Sequence, residues 1–366
     1  MTGALPDPTN ALFGSLLEKL RGRRVLVAGG AGFVGSAIVR ELLALDVQTV
    51  AFDNFFHGPA ENLENLSGPL TVEYCDARRL ESVKTLVDKV RADFVINCIG
   101  DTYVPTAYYE PQRFFDINLG CHLNLLLALD VSRLRRMIYV SSTEVYGSVQ
   151  AEAISEGERI GPVNTYAVSK TAADCLSYTF CLEHGLPLMV ARIFNCYGPR
   201  ATHPYVIPEI IAQFTRGKTV RLGNLKAKRD FTYVHDTARA LIALLTCSAK
   251  NGGTVNVGSG TTYSVEWLAR TIAHEMEIEN PEILSHPSRL RKHDIDSFRC
   301  DNAKLRRLTG WAPGVGMVEG LRQTIRWYGT EGRQWSWEKR THDVSLSTGA
   351  ADPAWPRDGS QAALSG

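Results

Sequence analysis

The sequence lacks any run of roughly 18 apolar residues, the length that crosses a membrane, so no membrane partner is expected. It also lacks a CxxC pair or any other cysteine spacing that builds a zinc site. Cys75, Cys98, Cys121, Cys175, Cys181, Cys196, Cys247 and Cys300 are scattered through apolar stretches, which predicts reduced, mostly buried thiols. His57, His203, His235 and His293 stand alone in the chain, so they read as loop or capping residues and no metal is expected. Charge of one sign is scarce too. Forty basic residues face 39 acidic ones, a formal net charge of +1, which gives no global field to draw nucleic acid or a membrane surface. An anionic ligand must therefore be held locally. The opening MTGALPDPTNALFGSLLEKLRGRR has neither the charged start nor the apolar run of a secretory signal, and the expectation is a soluble, cytoplasmic protein.

What is present is a rhythm. Apolar runs at 23–28, 48–53, 70–74, 93–97, 137–141 and 188–193 are mostly separated by helix-length segments, the pattern of an α/β, doubly wound parallel sheet buried on both faces. Past Gly198-Pro199 the alternation fades: 206–217 reads as a helix and 229–236 as a loop leading into another. At about 150 residues per domain, 366 residues suggest two closely packed lobes. The division expected is a helical lead (1–22), a Rossmann-type domain (23–200) to which later segments could return, a smaller α/β lobe (201–335), and an extension (336–366). That extension, rich in Ser, Gly, Pro and Ala, is expected to be disordered.

Gly29, Gly32 and Gly35 punctuate the turn between the first strand and a helix expected near Ser36. Without side chains they let the backbone approach a pyrophosphate at the helix N-terminus. Asp53 ends the second strand about 18 residues after Gly35, near the spacing at which a carboxylate binds the adenosine ribose. The stretch DNFFHGPA contains no arginine for a 2′-phosphate, so the expected cofactor is NAD. Ser141-Ser142-Thr143-Glu144-Val145-Tyr146-Gly147 follows a strand, which places its hydroxyls and Glu144 at the carboxyl edge of the sheet. Tyr166 and Lys170 are an i, i+4 pair on one helix face. A phenol with an ordinary pKa of about 10 needs such a cation to act as a base near neutrality.

GGAGFVG, Asp53, SSTEVYG, YAVSK and RIFNCYGPR, followed by LGNLKAKRDFTYVHDTA and RKHD, together resemble the extended short-chain dehydrogenase/reductases that modify nucleoside-diphosphate sugars. Among these the chain is most similar to the hexose 4,6-dehydratases, over 25–328. The resemblance implies that Tyr166, helped by Ser142 and Lys170, deprotonates the sugar 4-hydroxyl while the C4 hydride passes to NAD. The implied cofactor contacts are Gly29, Gly32, Phe33, Val34, Gly35, Asp53, Asn54, Asp76, Ala77, Gly100 and Asn118, with Tyr166 and Lys170. Asn118 is the family's structural asparagine. Those for the nucleotide sugar are Thr102, Asn195, Val206, Ile207, Arg229, Arg291 and Asp294, the arginines suited to phosphate by their forked donors. Helices within 114–128 and 166–183 resemble the pair through which family members form homodimers.

Glu144 bears on the reaction, because 4-epimerases of the family tend to have a small neutral residue there and 4,6-dehydratases and some decarboxylases a glutamate. A carboxylate beside C5 can remove the proton that a 4-ketone makes acidic. Thr143 departs from the aspartate that many dehydratases use to protonate the leaving hydroxyl, although dehydratases of GDP-mannose resemble the present arrangement. Cys98 and Cys196 border the expected site and could replace that acid. The expectation is 4,6-dehydration, with 4-epimerisation, uronate decarboxylation and 5,6-dehydration as alternatives and a non-catalytic NAD-binding protein as the remote one.

Overall fold

A computed structural model describes residues 11–290 and 297–334. Arg291, His293, Asp294 and the extension 336–366 thus lie outside the described residues. Six strands alternate with helices through the first part of the chain: β1 (Arg24–Ala28), β2 (Gln48–Asp53), β3 (Leu70–Tyr74), β4 (Phe94–Asn97), β5 (Arg136–Ser142) and β6 (Leu188–Ile193). Seven more follow: β7 (Asn195–Tyr197), β8 (Thr219–Leu222), β9 (Lys228–Tyr233), β10 (Thr254–Val257), β11 (Thr262–Ser264), β12 (Glu282–Ser285) and β13 (Ser297–Phe298).

The central sheet is parallel, in the order β10-β6-β5-β4-β1-β2-β3. Its middle strands are buried on both faces, which is why they read as unbroken apolar runs. Phe33–Ala44 and Val234–Thr246 cover one face through Ile38, Leu42, Leu241 and Leu244. Leu80–Val90, Cys121–Ala128 and Thr165–His184 cover the other, contributing Val83, Leu86, Leu125 and Ala173. The strand order reverses at β1, which pairs with β2 on one side and β4 on the other. A crevice therefore opens beyond the carboxyl ends of these strands, where open α/β sheets bind ligands.

A second core gathers Ile210, Phe214, Phe231, Leu268 and Leu321 between short strands and three helices, Val206–Arg216, Val265–Glu275 and Met317–Gly329. Here β9 pairs with β7, β11 and β13, and β8 pairs with β12. The chain then returns to the first layer, for β10 adds to β6 in register Val255↔Ala191. One expectation is corrected: 229–236 is no loop, since β9 runs to Tyr233 and a helix starts at Val234. The polar look of that segment comes from Asp230, an inward carboxylate that accepts backbone N–H bonds from Ser259 (2.9 Å), Gly260 (2.7 Å) and Cys300 (3.0 Å). The helix expected near Ser36 begins at Phe33, with Gly32 as its cap. Among the described residues no helix is long and apolar enough to cross a membrane, and all eight cysteines are unpaired, Cys175 being the exposed one.

Candidate active site

The glycine turn is built at the end of β1. Gly29 and Gly30 both donate to the Phe52 carbonyl (2.9 and 3.0 Å), and Gly32 donates to that of Gly29 (3.1 Å). A Cβ on Gly35 would collide with the Gly29 carbonyl, so turn and helix can close only around glycine there. The helix Phe33–Ala44 has no side-chain cap. The N–H groups of Phe33 and Val34, in its first turn, have no intrahelical acceptor and form a cradle for an anion. The Asp53 carboxylate accepts from Ala31 N (3.0 Å) and Phe55 N (2.9 Å), which fixes it at the lip of that turn. Burial pushes its pKa up, against the pull of these N–H donors. The next residues wrap the turn: Asn54 accepts from Phe56 N (3.1 Å), and a Cβ at Gly58 would strike the backbone of Ala31 and Gly32. Gly58 is a close approach that the glycine spacing did not flag.

Beside this cradle, Asp76 is forked by Arg78 (2.7 and 2.9 Å), and the Ala77 carbonyl accepts from Asn124 (2.9 Å). A Cβ at Gly100 would stand 3.0 Å from Lys170 Nζ and 3.1 Å from Asn118 Oδ1. Asn118 grips the backbone of Asp101 at both N–H (2.7 Å) and carbonyl (3.0 Å) and donates to Ser169 Oγ (2.9 Å). It thereby ties the loop after β4 to the helix Thr165–His184. These donors, the open helix end and the strand-end carboxylate fit a dinucleotide.

Ser142 ends β5, and its hydroxyl accepts from Glu144 N (3.2 Å) and lowers the pKa of the Tyr166 phenol. Asn164 caps the helix Thr165–His184, accepting from Ala167 N (2.8 Å), and its amide donates to Glu144 Oε2 (3.1 Å). One cap residue thus sets both the helix that carries Tyr166 and the carboxylate beside it. Sequence reasoning missed Asn164. Lys170, four residues on from Tyr166, is buried, donates to the Val140 carbonyl (3.0 Å) and lies 5.0 Å from the Tyr139 ring centre. Burial lowers its pKa to about 8, opposed by the nearby Asp174. Burial, the larger effect, raises the Tyr166 phenol, opposed by the Ser142 hydroxyl. Asp174 and Arg192, both buried, pair at 2.8 Å and pin this helix to β6. Thr143 is buried next to Glu144, which is only partly covered.

Across the crevice, the Thr102 hydroxyl meets the Tyr205 hydroxyl at 2.6 Å. Tyr205 is the N-cap of the helix Val206–Arg216, in which Ile207 is buried and Val206 half-buried. Asn195 is exposed at the start of β7, and Arg229 lies half-buried on the adjacent β9, its guanidinium 6.0 Å from the Phe298 ring centre.

The isolated histidines of the sequence are not isolated in space. His57 Nε2 lies 3.4 Å from Asp101 Oδ2, and its ring is 4.8 Å from that of His203, which also stacks on Tyr103. His235 in turn bonds Glu41 (2.7 Å). The ligand atoms of His57, Asp101 and His203 fall within 4.8 Å of one another, a spacing that could hold a metal ion. The Arg113 guanidinium, however, donates to Asp101 (2.8 Å) and His57 (2.7 Å), so a permanent cation already neutralises the carboxylate. Cys98 and Cys196 are neighbours, both pushed up to about 12 by burial, and the Cys196 thiol is engaged with Thr237 (3.1 Å).

Residues 26–324 match the family model described as GDP-mannose 4,6 dehydratase. The chain is 31% identical over 330 residues to the GDP-6-deoxy-D-mannose reductase of Pseudomonas aeruginosa, covering 88% of this chain and 99% of the relative. It is 30% identical over 319 residues to the UDP-N-acetyl-alpha-D-glucosaminuronate decarboxylase of Bacillus cytotoxicus, covering 84% and 98%. The UDP-glucose 4-epimerase of Thermus thermophilus, solved in complex with NAD, superposes with a TM-score of 0.75 at 30% identity, over 84% of this chain and 99% of that one. Because the match runs through the sheet, the crevice and the smaller lobe alike, the chain belongs to the GDP-mannose 4,6 dehydratase family, within the extended short-chain dehydrogenase/reductases that the motifs resemble.

Proposed function

We propose that this protein is an NAD-dependent enzyme of nucleoside-diphosphate sugars that works through a 4-keto sugar and releases water as a 4,6-dehydratase. NAD, when bound, takes the C4 hydride and returns it to the sugar. Gly29, Gly32, Phe33, Val34 and Gly35 would hold its pyrophosphate and Asp53 its ribose, with Asn54, Asp76 and Ala77 toward the adenine and Gly100 near the catalytic lysine. Tyr166 takes the proton from O4. Lys170, as an ammonium, and the Ser142 hydroxyl favour the phenolate by charge and hydrogen bonding. Thr102, Asn195, Val206, Ile207 and Arg229 would line the sugar and diphosphate.

The observation that carries dehydration over epimerisation is Glu144. Its carboxylate is oriented by Asn164, and its backbone N–H is held by the Ser142 hydroxyl, which also acts on the Tyr166 phenol. A base fixed beside the group that acts at C4 can reach the proton on C5. A 4-epimerase has no use for such a base.

The test is incubation with a panel of GDP-, dTDP-, UDP- and CDP-linked hexoses and uronic acids, followed by mass spectrometry. A product lighter by one water, together with loss of C5 exchange from heavy water in Glu144→Gln, is the expected result. Unchanged mass with inverted C4, or loss of carbon dioxide, would refute it. We also propose a homodimer. Leu127, Val168, Tyr178 and Leu182 lie exposed on the helices Cys121–Ala128 and Thr165–His184, and light scattering of the purified protein tests it.

A further inference from the structure

We infer that Tyr205 is the acid that protonates the departing C6 hydroxyl, held in place by Thr102. This rests on the dehydratase reading above and supplies the group that Thr143 does not. The loop after β4 and the start of the helix Val206–Arg216 belong to different lobes, yet the Thr102 and Tyr205 hydroxyls meet at 2.6 Å across the crevice. In the pose this inference takes, O4 lies at Tyr166, C5 at Glu144 and the exocyclic C6 toward the smaller lobe, where Tyr205 stands at the helix start. The loop that carries Thr102 is tied through Asp101 and Asn118 to Ser169, three residues from Tyr166 on the same helix, so Tyr205 closes the crevice into which that helix brings Tyr166. Burial keeps the Tyr205 phenol protonated.

The other candidates are poorer. An aliphatic alcohol such as Thr143 is a weaker acid than a phenol, even one whose pKa burial raises, as at Tyr205. The Cys196 thiol is committed to Thr237 on the helix Val234–Thr246, which packs on the far layer. His57 is bound by the Arg113 guanidinium.

The proton count closes without another reactant. Tyr166, as phenolate, takes the O4 proton while the C4 hydride would pass to the NAD of the proposed function, which later gives it back. Glu144 takes the C5 proton, and the C5–H electron pair is held as the enolate of the 4-ketone; the ketone then re-forms, that pair becomes the C5–C6 double bond, and the C6–O bond breaks. The Tyr205 proton goes to the departing oxygen and makes water. The same hydride then adds to C6 and the Glu144 proton returns to C5, leaving Tyr166 protonated and Tyr205 as phenolate. Tyr166 then releases one proton and Tyr205 takes one up, which restores the starting state with no net change in protons.

The experiment uses the full-length protein and its Tyr205→Phe variant, on the nucleotide sugar that wild type dehydrates. Water release should fall by about 10²- to 10⁴-fold, the usual worth of a general acid. Deuterium from heavy water should still enter C5 of the recovered substrate, because oxidation and Glu144 are untouched. The matching 6-deoxy-6-fluoro sugar, whose fluoride leaves without a proton, should be processed by the variant within about tenfold of wild type. Thr102→Val should lower water release by about tenfold, in keeping with the loss of one orienting hydrogen bond. Water release at the wild-type rate in Tyr205→Phe refutes the inference and leaves the dehydratase reading standing. Loss of C5 exchange together with water release, or no rescue by the fluoro sugar, also refutes it. A wild-type protein that releases no water from any hexose nucleotide overturns both.

Discussion

Lys170 should cost the fold stability that its chemistry requires. Its ammonium is buried, and burial lowers its pKa from the usual 10.5 to about 8. That gap of about 2.5 units, at about 1.4 kcal/mol each, is a penalty of about 3 kcal/mol at neutral pH. Lys170→Met keeps the bulk and removes the charge, but forfeits the bond to the Val140 carbonyl, worth about 1 kcal/mol. The variant should therefore be about 2 kcal/mol more stable than wild type at pH 7 while losing at least about a hundredfold in activity. The pH dependence gives the sharper signature. Between pH 8 and 10.5 the unfolded chain still holds the lysine proton while the folded one has released it, so wild-type stability rises with pH relative to the variant. The advantage of Lys170→Met should shrink by up to about 1.4 kcal/mol per unit across that window, pass through zero within it, and end as a deficit of about 1 kcal/mol, the worth of the lost Val140 bond. Urea unfolding at equal cofactor occupancy, from pH 7 to pH 10, reads both effects. A variant less stable than wild type at pH 7, or a difference that does not move with pH, would refute the reasoning.

Asp53→Ala removes the carboxylate at the lip of the glycine turn and should weaken NAD by about 10- to 100-fold, the worth of about 1.5–3 kcal/mol for hydrogen bonds to a charged group. Equilibrium binding to stripped protein measures this, and unchanged affinity would count against the placement. Asp230→Ala leaves three buried N–H groups, those of Ser259, Gly260 and Cys300, without their acceptor. At about 1–3 kcal/mol for each unmet donor, stability should fall by on the order of 4 kcal/mol; the shift of the urea midpoint reads it.

The parts of this molecule that the sequence discloses are those whose chemistry is local. Gly35 must be glycine because it touches Gly29 six positions away, and Tyr166 and Lys170 share a face because a helix repeats every 3.6 residues. Asp53 follows from a strand end at the right distance, and Ser142 and Glu144 from the strand before them. Asp230 was opaque for the opposite reason. Its three N–H partners lie 29, 30 and 70 residues away, so a strand residue that is fully satisfied inside looks, in sequence, like a polar loop.

The same distinction runs through the site. His57, Asp101, Arg113 and His203 are each an ordinary loop or helix-start residue, and nothing local says that a loop after β2, a loop after β4, a short helix and the smaller lobe will converge on one carboxylate. Asn164 stood within reach of sequence reasoning, because an asparagine just before a helix is a cap signal. What could not be read was its second hydrogen bond, to Glu144. That bond matters more than the cap. The family match is shared by relatives described as a reductase, a decarboxylase and an epimerase, so the sheet, the glycine turn and the Tyr166–Lys170 pair cannot by themselves choose the reaction. In the proposed reading they supply only the step at C4. The choice would then fall to the groups held against C5 and C6: Glu144, whose carboxylate accepts from the helix cap Asn164, and Tyr205, whose hydroxyl meets Thr102. Both are set by side-chain contacts between segments distant in the chain, 20 residues apart for Asn164 and Glu144 and 103 for Thr102 and Tyr205, so a motif can name Glu144 but not say how either group is held.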